Sequence, residues 1–254
     1  MVLVHNAGND HRNWDAQVDH FKDRFTVYAI DMFGYGASDS PGPQSLDLHS
    51  NALADLFESL DLRDVTLVGH CVGGAASWHC ASRHPERIRK LILFSPATEA
   101  TMRSGMWGPL YWASRRSRWA NKLAEVGVRA ARKTDVGRRT TVLAMFGDDG
   151  PPDEFLAHSM ALMERPDAIQ TLNELLVGFS GFGILDRFER PEAFPPTLLL
   201  WGTRNRVLSI QSMAAVLDHL RPDRNEVFTG RGHLCMVEAP EQINAAMDRF
   251  LRAS

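Results

Sequence analysis

Cysteine is scarce in this chain. Its 254 residues include three cysteines, Cys71, Cys80 and Cys235, and no two of them form a C-x-x-C pair. Three cysteines are too few and too odd in number for a disulfide scaffold, and the missing C-x-x-C pair argues against a zinc site. We therefore predict a protein of a reducing compartment, the cytoplasm, that binds no metal.

Long apolar runs and a large net charge are also absent. No run approaches the ~18 apolar residues that cross a membrane, and Met1–His5 is not a basic region followed by an apolar stretch. We expect neither a membrane partner nor a secretory signal. The net charge of -3 argues against nucleic acid as a partner of the whole chain. With 44% apolar and 23% charged residues, the composition is that of a globular protein.

Short apolar runs alternate with longer segments in which apolar residues recur every three or four positions. Such continuous runs are typical of parallel strands that are buried on both faces. The sequence therefore predicts the α/β class, with a mostly parallel sheet and helices on both of its faces. The strand candidates are residues 2–4, 25–30, 65–68, 91–94, 197–201 and, as the weakest, 225–229.

The alternation breaks between residues 97 and 180, where no strand-like run is present. We predict that residues 1–96 and 181–254 form the α/β core, and that residues 97–180, the cap segment, form a helical insertion over it. We expect the aromatic and methionine side chains of the cap segment to pack in its interior, with lining of a substrate pocket as the alternative. They include five of the ten methionines and three of the six tryptophans, Trp107, Trp112 and Trp119.

The first half of the cap segment is basic. Residues 101–140 carry ten basic and two acidic side chains, an excess of eight positive charges in an acidic protein. One interpretation is a solvated helix face. The other is a docking surface for an acidic or phosphate-bearing partner, since a surface kept only for solubility would mix both signs. The basic residues are Arg103, Arg115, Arg116, Arg118, Lys122, Arg129, Arg132, Lys133, Arg138 and Arg139.

The strongest catalytic motif is Gly69-His70-Cys71-Val72-Gly73-Gly74, between a predicted strand and a predicted helix. Glycine two positions before and two positions after Cys71 allows a tight, strained turn that presents one side chain. This is the G-x-S-x-G nucleophile elbow with cysteine in the serine position. The N-terminus of the following helix is expected to lower the pKa of the Cys71 thiol. The alternative is a buried, inert cysteine, as we expect for Cys80 and Cys235.

A second motif, Gly230-Arg231-Gly232-His233-Leu234, lies after the last strand candidate and ahead of a final helix. A histidine on a glycine-rich loop at this place can reach a nucleophile at the carboxyl ends of the strands. The other nine histidines lack this setting. We therefore predict that His233 is the general base.

Three further segments complete an ordered set: Val4-His5-Asn6-Ala7-Gly8 after the first strand, residues 31–39 (DMFGYGASD), and Trp201-Gly202 at a strand end. Together with the elbow and Gly232-His233, in this order, they resemble the α/β-hydrolase fold superfamily over nearly the whole chain. The resemblance implies an oxyanion hole made by the backbone N–H groups of Val72 and Ala7, each typically worth about 3 kcal/mol of barrier. Asn6 stands where the family usually has glycine, and we expect it to tolerate a positive φ there.

The chain departs from the family pattern in three places. Its nucleophile is cysteine, and Asn205, four residues after Trp201, stands where the family usually has the acid. It also begins at the family's third strand, so either the N-terminal edge strands of the sheet are missing or the natural start lies upstream. A cysteine can rest as a thiolate beside a histidinium, so a neutral amide is enough to orient the ring, as in papain-like Cys-His-Asn enzymes. We therefore predict a Cys71–His233–Asn205 triad, with Glu99 as the second choice for the orienting residue.

At the elbow the chain resembles cysteine-type relatives that shuttle aminoacyl groups between carrier proteins in nonribosomal peptide and polyketide pathways. This resemblance implies acyl transfer: Cys71 takes an acyl or aminoacyl group from a thioester or ester, expected to be bound to a carrier protein, and passes it to an acceptor. We expect no cofactor beyond the phosphopantetheine arm of such a carrier, which would be part of the substrate. The acidic carrier would dock on the basic part of the cap segment.

Two alternatives stay open, because a fold does not by itself decide a function. The first is a cysteine-type esterase, thioesterase or lactone hydrolase, resembling dienelactone hydrolases, in which water is the acceptor. The second is a ligand-binding module that kept the pocket and lost catalysis. The fate of an acyl group on Cys71 separates hydrolysis from transfer: a hydrolase releases the group promptly, whereas a transferase keeps it until the acceptor arrives.

Overall fold

A computed structural model describes residues 1–106, 108–116, 119, 122, 126–127, 129–130, 132–165 and 167–253. The strands are β1 Val2–Val4, β2 Tyr28–Ile30, β3 Val65–His70, β4 Ile88–Phe94, β5 Thr197–Gly202 and β6 Arg224–Phe228. They form one sheet in the order β2-β1-β3-β4-β5-β6, and every neighbouring pair is parallel. Among the described residues β2 is one edge of the sheet, and no described strand lies beyond it. The prediction of a mostly parallel α/β sheet is confirmed.

Both faces of the sheet are apolar, because successive residues of a strand point to opposite sides. In β4, Leu91 and Leu93 contact one layer of the core, whereas Ile92 and Phe94 contact the other. All four side chains are fully buried. A strand that is covered on both sides must be apolar at successive positions, which is why these strands are visible in the sequence as unbroken runs.

Helices cover both faces of the sheet. On one face the helices pack through side chains such as Phe57, Trp78 and Val216, and on the other face through Phe21 and Phe250. The helices are α1 Asp15–Phe21, α2 Leu46–Ser59, α3 Cys71–Arg83, α4 Glu99–Ser104, α5 Gly108–Arg116, α6 Asp135–Leu143, α7 Asp153–Leu162, α8 Ala168–Gly178, α9 Met213–Leu220, α10 Cys235–Glu238 and α11 Pro240–Arg252. Short 3₁₀ segments cover His11–Trp14, Pro85–Arg87, Phe179–Arg187 and Ile210–Ser212.

Between β4 and β5 the described residues of the cap segment form helices, α4 to α8, and no strand. The cap segment contacts loops that follow the strands. His158 of α7 pairs with Asp10, in the loop after β1, at 2.7 Å between Nε2 and Oδ2. The guanidinium of Arg165 donates to the carbonyl oxygen of Gly36, in the loop after β2. The division into a core and an inserted cap stays a prediction, and these contacts show where the segment lies.

Two tryptophans of the cap segment are not packed in its interior. Trp112 is 50% exposed and Trp119 is 79% exposed, while Trp107 lies outside the described residues. The guanidinium of Arg103 lies 5.4 Å from the centroid of the Trp112 ring, so a cation rather than an apolar core covers that ring. The expectation of interior packing is therefore wrong for both tryptophans. Tyr111, by contrast, is fully buried.

One helical stretch, Ala168–Arg187, has 20 residues and is long and apolar enough to cross a membrane by length and composition alone. It is not an unbroken apolar run, because polar residues such as Gln170, Asn173 and Glu174 interrupt it. In the structure Leu175, Phe179 and Phe182 are buried in the same apolar cluster as the sheet. These contacts are those of a helix that packs in the protein's own core.

Candidate active site

Cys71 lies at the junction of β3 and α3 and has a backbone φ of +53°. A non-glycine residue in this left-handed region is strained, and a nucleophile elbow requires such strain. The flanking glycines are required by space. A Cβ on Gly69 would overlap the carbonyl oxygen of Gly73, and a Cβ on Gly73 would overlap that of His5. The glycine spacing that marks Cys71 in the sequence thus has a steric cause.

The Cys71 thiol does not rest as a thiolate. The residue is 5% exposed, and burial raises the pKa of the thiol to about 12, although the Val72 N–H group favours the charged form. The expectation of a thiol pKa lowered by the helix N-terminus is therefore wrong. Burial raises the thiol pKa by more than the N-terminus of α3 lowers it. The whole fold, and not the local motif, determines how deeply the elbow is buried.

His233 lines the same cavity as Cys71. The residue is 1% exposed, and neither ring nitrogen has a hydrogen-bond partner in the described part of the chain. Burial lowers the pKa of the imidazole to about 3, so the ring is neutral at pH 7. Thiol and imidazole therefore rest as two uncharged groups, and not as the expected thiolate–histidinium pair.

The loop that carries His233 is held by main-chain contacts and by one carboxylate. The His233 N–H donates to the carbonyl oxygen of Met145, in the cap segment, over 2.7 Å. Glu238 has a fully buried side chain and accepts hydrogen bonds from the N–H groups of Gly232 at 2.8 Å and Gly147 at 3.1 Å. The contacts to Met145 and Gly147 join the histidine loop to the cap segment. Sequence reasoning missed Glu238, because no local pattern marks a buried carboxylate there.

Sequence reasoning also passed over His70, the residue before the nucleophile. Its ring centroid lies 4.3 Å from that of His233, at an interplanar angle of 49°. His70 is fully buried. Burial, and then the charge of His233, lower the pKa of His70 well below its usual value, although the His233 main chain, which lies within hydrogen-bond reach of the His70 ring, raises it. Two neutral imidazoles therefore pack against each other, and this contact helps to position the His233 ring.

Asn205 follows the end of β5 and is 4% exposed. Its Nδ2 donates to the Ser95 hydroxyl at 3.0 Å, and its Oδ1 accepts a hydrogen bond from the Leu208 N–H at 2.9 Å. Its amide therefore joins the loops after β4 and β5 and makes no hydrogen bond to His233. The predicted orienting role of Asn205 stays a prediction, and it requires the amide or the imidazole to turn.

Glu99, the second choice for the orienting residue, is also bonded away from the histidine. Its carboxylate accepts hydrogen bonds from the Tyr111 hydroxyl and the Arg103 guanidinium. A Cβ on Gly183 would overlap this carboxylate, so the 3₁₀ segment after α8 packs closely on it. These surroundings are those of a structural carboxylate that connects α4, α5 and the 3₁₀ segment.

The N–H groups predicted to form the oxyanion hole belong to Val72 and Ala7, and both residues line the cavity. The Val72 N–H lies in the first turn of α3, where an intrahelical acceptor is lacking. In the loop of Ala7, the Asn6 Oδ1 accepts a hydrogen bond from the Asn13 side chain. Asn6 does not take the positive φ expected of it; Gly8 does, at +87°. Asn6 therefore fixes the loop by hydrogen bonding and not by backbone freedom.

The cavity at Cys71 has a volume of about 350 Å³. Its wall is mostly apolar, which suits an acyl chain. The apolar side chains come mainly from the cap segment and include Met102, Val142, Met145, Leu162, Met163, Leu172, Leu175, Leu176 and Val207. Polar groups are contributed among others by Tyr35 and Arg132. The alternative, in which methionines of the cap segment line a substrate pocket, thus holds for three of them, Met102, Met145 and Met163.

Comparison with known proteins identifies the family. A family model described as the alpha/beta hydrolase fold matches residues 1–240. The chain belongs to this family.

Relatives of this α/β hydrolase carry names from more than one class of enzyme. Epoxide hydrolase 1 of Caenorhabditis elegans is 23% identical over 99% of this chain and 64% of its own length. The dihydrolipoyllysine-residue acetyltransferase component of the acetoin cleaving system of Pseudomonas putida is 25% identical over 99% of this chain and 63% of its own length. The chain thus spans less than two thirds of each of these two proteins.

Solved structures support the fold. A membrane phospholipase A superimposes with a TM-score of 0.76, at 25% identity over 98% of this chain and 77% of that structure. An esterase from Exiguobacterium antarcticum superimposes with a TM-score of 0.75, at 16% identity over 99% of this chain and 91% of that structure. The second likeness shows the fold alone.

In this α/β hydrolase a thiol, an imidazole and two backbone N–H groups border one apolar cavity. A thiol on an elbow can attack an acyl carbon, a neutral imidazole can accept its proton, and N–H groups can stabilise the oxyanion that develops. The chain is an enzyme of the α/β-hydrolase fold, and this set of groups suits the chemistry of esters and thioesters.

Proposed function

We propose that the protein is an acyl-transfer enzyme in which Cys71 forms a thioester acyl-enzyme. One observation carries the proposal: a strained elbow, with φ of +53°, presents a cysteine at the wall of a cavity that His233 also lines. The Cys71 sulfur bonds to the acyl carbon of a thioester or ester, and the bond to the leaving sulfur or oxygen breaks. The thiol proton passes through His233 to the leaving group. An acceptor thiol, amine or alcohol then reverses these steps.

The uncharged resting pair fixes the order of proton transfer. With the pKa of the thiol at about 12 and that of His233 at about 3, a free thiolate is rare before substrate arrives. The proton therefore moves to the imidazole as the sulfur attacks. The resulting charges are an oxyanion, held by the N–H groups of Val72 and Ala7, and an imidazolium, and each stabilises the other across a cavity of low polarity.

Transfer is favoured over hydrolysis by the surroundings of His233. No described carboxylate bonds to its ring, so His233 is a weak base for activating water, which is a weaker acid and a poorer nucleophile than a thiol. Thiols and amines are stronger nucleophiles than water and depend less on a base. The apolar wall of the cavity also disfavours water. A relative that is named as an acetyltransferase component supports the same class of reaction.

Hydrolysis of an ester or thioester is the second candidate, supported by relatives and neighbours that are named as hydrolases and esterases. Epoxide hydrolysis fits the site less well. Attack of a cysteine on an epoxide carbon would form a thioether, which water does not cleave, so the enzyme would stop after one turnover. An acyl thioester on Cys71 can be released, and this chemistry favours acyl substrates.

The acyl-enzyme can be tested by intact-protein mass spectrometry after mixing with a panel of acyl thioesters. We expect an acyl adduct on the wild-type protein and on Cys80→Ala, but not on Cys71→Ala, because Cys80 is buried and does not line the cavity. An adduct that persists on Cys71→Ala would contradict the proposal. An adduct lost at the same rate with and without an acceptor thiol would favour hydrolysis, and a protein with no adduct would favour the non-catalytic binding module.

A carrier protein as donor is proposed from the exposed cations of the basic part of the cap segment. Among the described residues, Arg138 is neutralised by Asp135 and by Glu164 at 2.9 Å. Arg118 and the side chain of Arg115 lie outside the described part. Arg103 is exposed but pairs with Glu99. The other exposed cations of this part are Arg116, Lys122, Arg129, Lys133 and Arg139. An acidic carrier with a phosphopantetheine phosphate would be attracted to such a surface.

Charge reversal tests this docking surface. The triple variant Arg116→Glu, Lys133→Glu, Arg139→Glu should lower kcat/KM for a carrier-bound acyl group about fivefold or more at low salt, because reversed charges would repel an acidic carrier. Low salt is chosen because salt screens exposed charges, over about 8 Å at physiological ionic strength. Turnover of the same acyl group on N-acetylcysteamine should stay within about twofold. Equal losses on both substrates would show that these residues support the fold instead. No loss on either would leave the charges a solvated face.

A further inference from the structure

Arg132 places a positive charge in the cavity wall. The residue is half-buried and lines the cavity together with Cys71. Its Nη1 donates to the carbonyl oxygen of Ala168 at 3.3 Å, and its Nε is buried without a partner in the described part of the chain. None of the described acidic side chains pairs with it. An anion that binds beside such a guanidinium is strongly favoured, because it supplies the missing charge and hydrogen bonds.

Tyr35 presents a second unpartnered polar group to the same cavity. It is 8% exposed, and its buried hydroxyl finds no hydrogen-bond partner among the described residues. The residue stands between Gly34 and Gly36, whose φ values of +81° and +52° form a tight turn after β2. A buried hydroxyl without a partner is costly unless a ligand supplies one.

The two groups lie within electrostatic range of each other and of the thiol. Burial raises the pKa of Tyr35, negative charge on Cys71 raises it further, the charge of Arg132 lowers it, and the more weakly acting Glu174 carboxylate, which does not line the cavity, raises it. Burial also lowers the pKa of Arg132, as happens to a charged group without a partner.

The charge of the cavity wall has one sign. The described residues that line it include two arginines and no acidic residue. Arg165 is compensated, because its guanidinium pairs with Asp167 at 2.9 Å and donates to the carbonyl oxygen of Gly36. This leaves Arg132 as the uncompensated cation among the described residues of the wall.

We infer that Arg132 and Tyr35 form an anion subsite, which holds a negatively charged group of the substrate while the acyl carbon lies at Cys71. The inference rests on the proposed role of Cys71. Two groups have the required chemistry: a carboxylate at the far end of the acyl chain, or the phosphate of a phosphopantetheine arm. The guanidinium binds either group by charge-assisted hydrogen bonds, and the tyrosine hydroxyl is a further donor. An amino group at this position would be repelled, so the subsite disfavours an aminoacyl substrate.

Four substrates test the subsite and distinguish the two sources of charge. They are the pentanoyl and glutaryl thioesters of pantetheine and of phosphopantetheine. The two acyl groups differ in a terminal carboxylate, and the two thiols differ in a phosphate. We would measure kcat/KM for the wild-type protein, Arg132→Met and Tyr35→Phe. Arg63→Met is the matched control, because Arg63 is an exposed arginine that precedes β3, at the opposite end of the sheet.

The wild-type protein should prefer at least one charged substrate by about tenfold or more, the size expected for a charge-assisted hydrogen bond. A preference for glutaryl identifies the acyl carboxylate, and a preference for phosphopantetheine identifies the phosphate. Arg132→Met should remove the preference, Tyr35→Phe should reduce it about threefold, and Arg63→Met should retain it. Equal kcat/KM for all four substrates, or a preference that survives in Arg132→Met, would overturn the inference.

A binding measurement separates a failure of the subsite from a failure of the proposed function. Calorimetric titration of the Cys71→Ala protein with glutarate and with phosphopantetheine requires no chemistry. Binding that is lost in the double variant Cys71→Ala, Arg132→Met supports the subsite even if no thioester acylates the wild-type protein. If neither anion binds while Cys71 is acylated normally, the subsite is wrong and the proposed function stands.

Discussion

The two ends of α3 each bury a cysteine, Cys71 in its first turn and Cys80 in its last. Burial raises the pKa of both thiols to about 12, so acidity does not distinguish them. They differ in backbone and in access. Cys71 has a φ of +53° and lines the cavity, whereas Cys80 continues a regular helix and is enclosed by the apolar core. The role of a thiol in this fold thus depends on the backbone turn that carries it and on whether it borders the cavity.

Gly73→Ala should have the largest effect, because it removes the space that the elbow end of α3 needs. The added Cβ would overlap the main-chain oxygen of His5, which is held in place because it directly follows β1. We expect a loss of about 4 kcal/mol or more in the free energy of unfolding, measured by urea denaturation. Gly181→Ala is the control: its Cβ would meet nothing within 4 Å, and its effect should stay below about 1 kcal/mol. Similar stability of both variants would refute a steric elbow.

Cys71→Ser should come next, although serine is the usual residue at a nucleophile elbow. Both side chains must give a proton to His233 during attack, but a serine hydroxyl is a weaker acid than even this thiol. His233, which has a pKa of about 3 and no bonded carboxylate, holds the resulting charge poorly. We expect kcat/KM for a thioester to fall about a hundredfold or more. Cys80→Ser should keep the activity and lose about 1–2 kcal/mol of stability from a buried hydroxyl. A fully active Cys71→Ser protein would show that the base is stronger than its surroundings indicate.

The pH dependence of alkylation is the finest test of the comparison. Because the pKa of both thiols is raised, the thiolate fraction increases about tenfold per pH unit through neutral and moderately alkaline pH. Modification of Cys71 by iodoacetamide, followed by peptide mass spectrometry, should accelerate accordingly between about pH 7 and 10. Cys80 should stay unmodified in the folded protein. A rate for Cys71 that is flat across this range would indicate a preformed thiolate–histidinium pair.

The parts of the molecule that the sequence predicts are those that depend on local pattern. Buried parallel strands appear as unbroken apolar runs, so the sheet was predictable from the residues of β3, β4 and β5. The elbow was predictable because the space around Cys71 requires glycine at fixed positions beside it, whatever the rest of the fold does.

The parts that the sequence does not predict depend on tertiary surroundings. The thiol pKa follows the depth of burial, which the helix motif does not encode. The partner of Asn205 is Ser95, on a loop 110 residues away in the chain, and spacing from Trp201 carries no information about that loop. Trp112 and Trp119 have hydrophobic side chains but are exposed, because burial requires a surface to pack against as well as an apolar side chain.

The hydrogen bonds around Glu238 couple the position of His233 to that of the cap segment. One carboxylate joins the histidine loop to the cap segment, and the His233 N–H donates directly to the same segment. Any movement of this part of the cap segment would therefore also move the imidazole relative to the thiol. If Cys71 carries an acyl group, as proposed, a displaced cap segment would leave the thioester without its base, so attack by bulk water would be slow while the cavity is open.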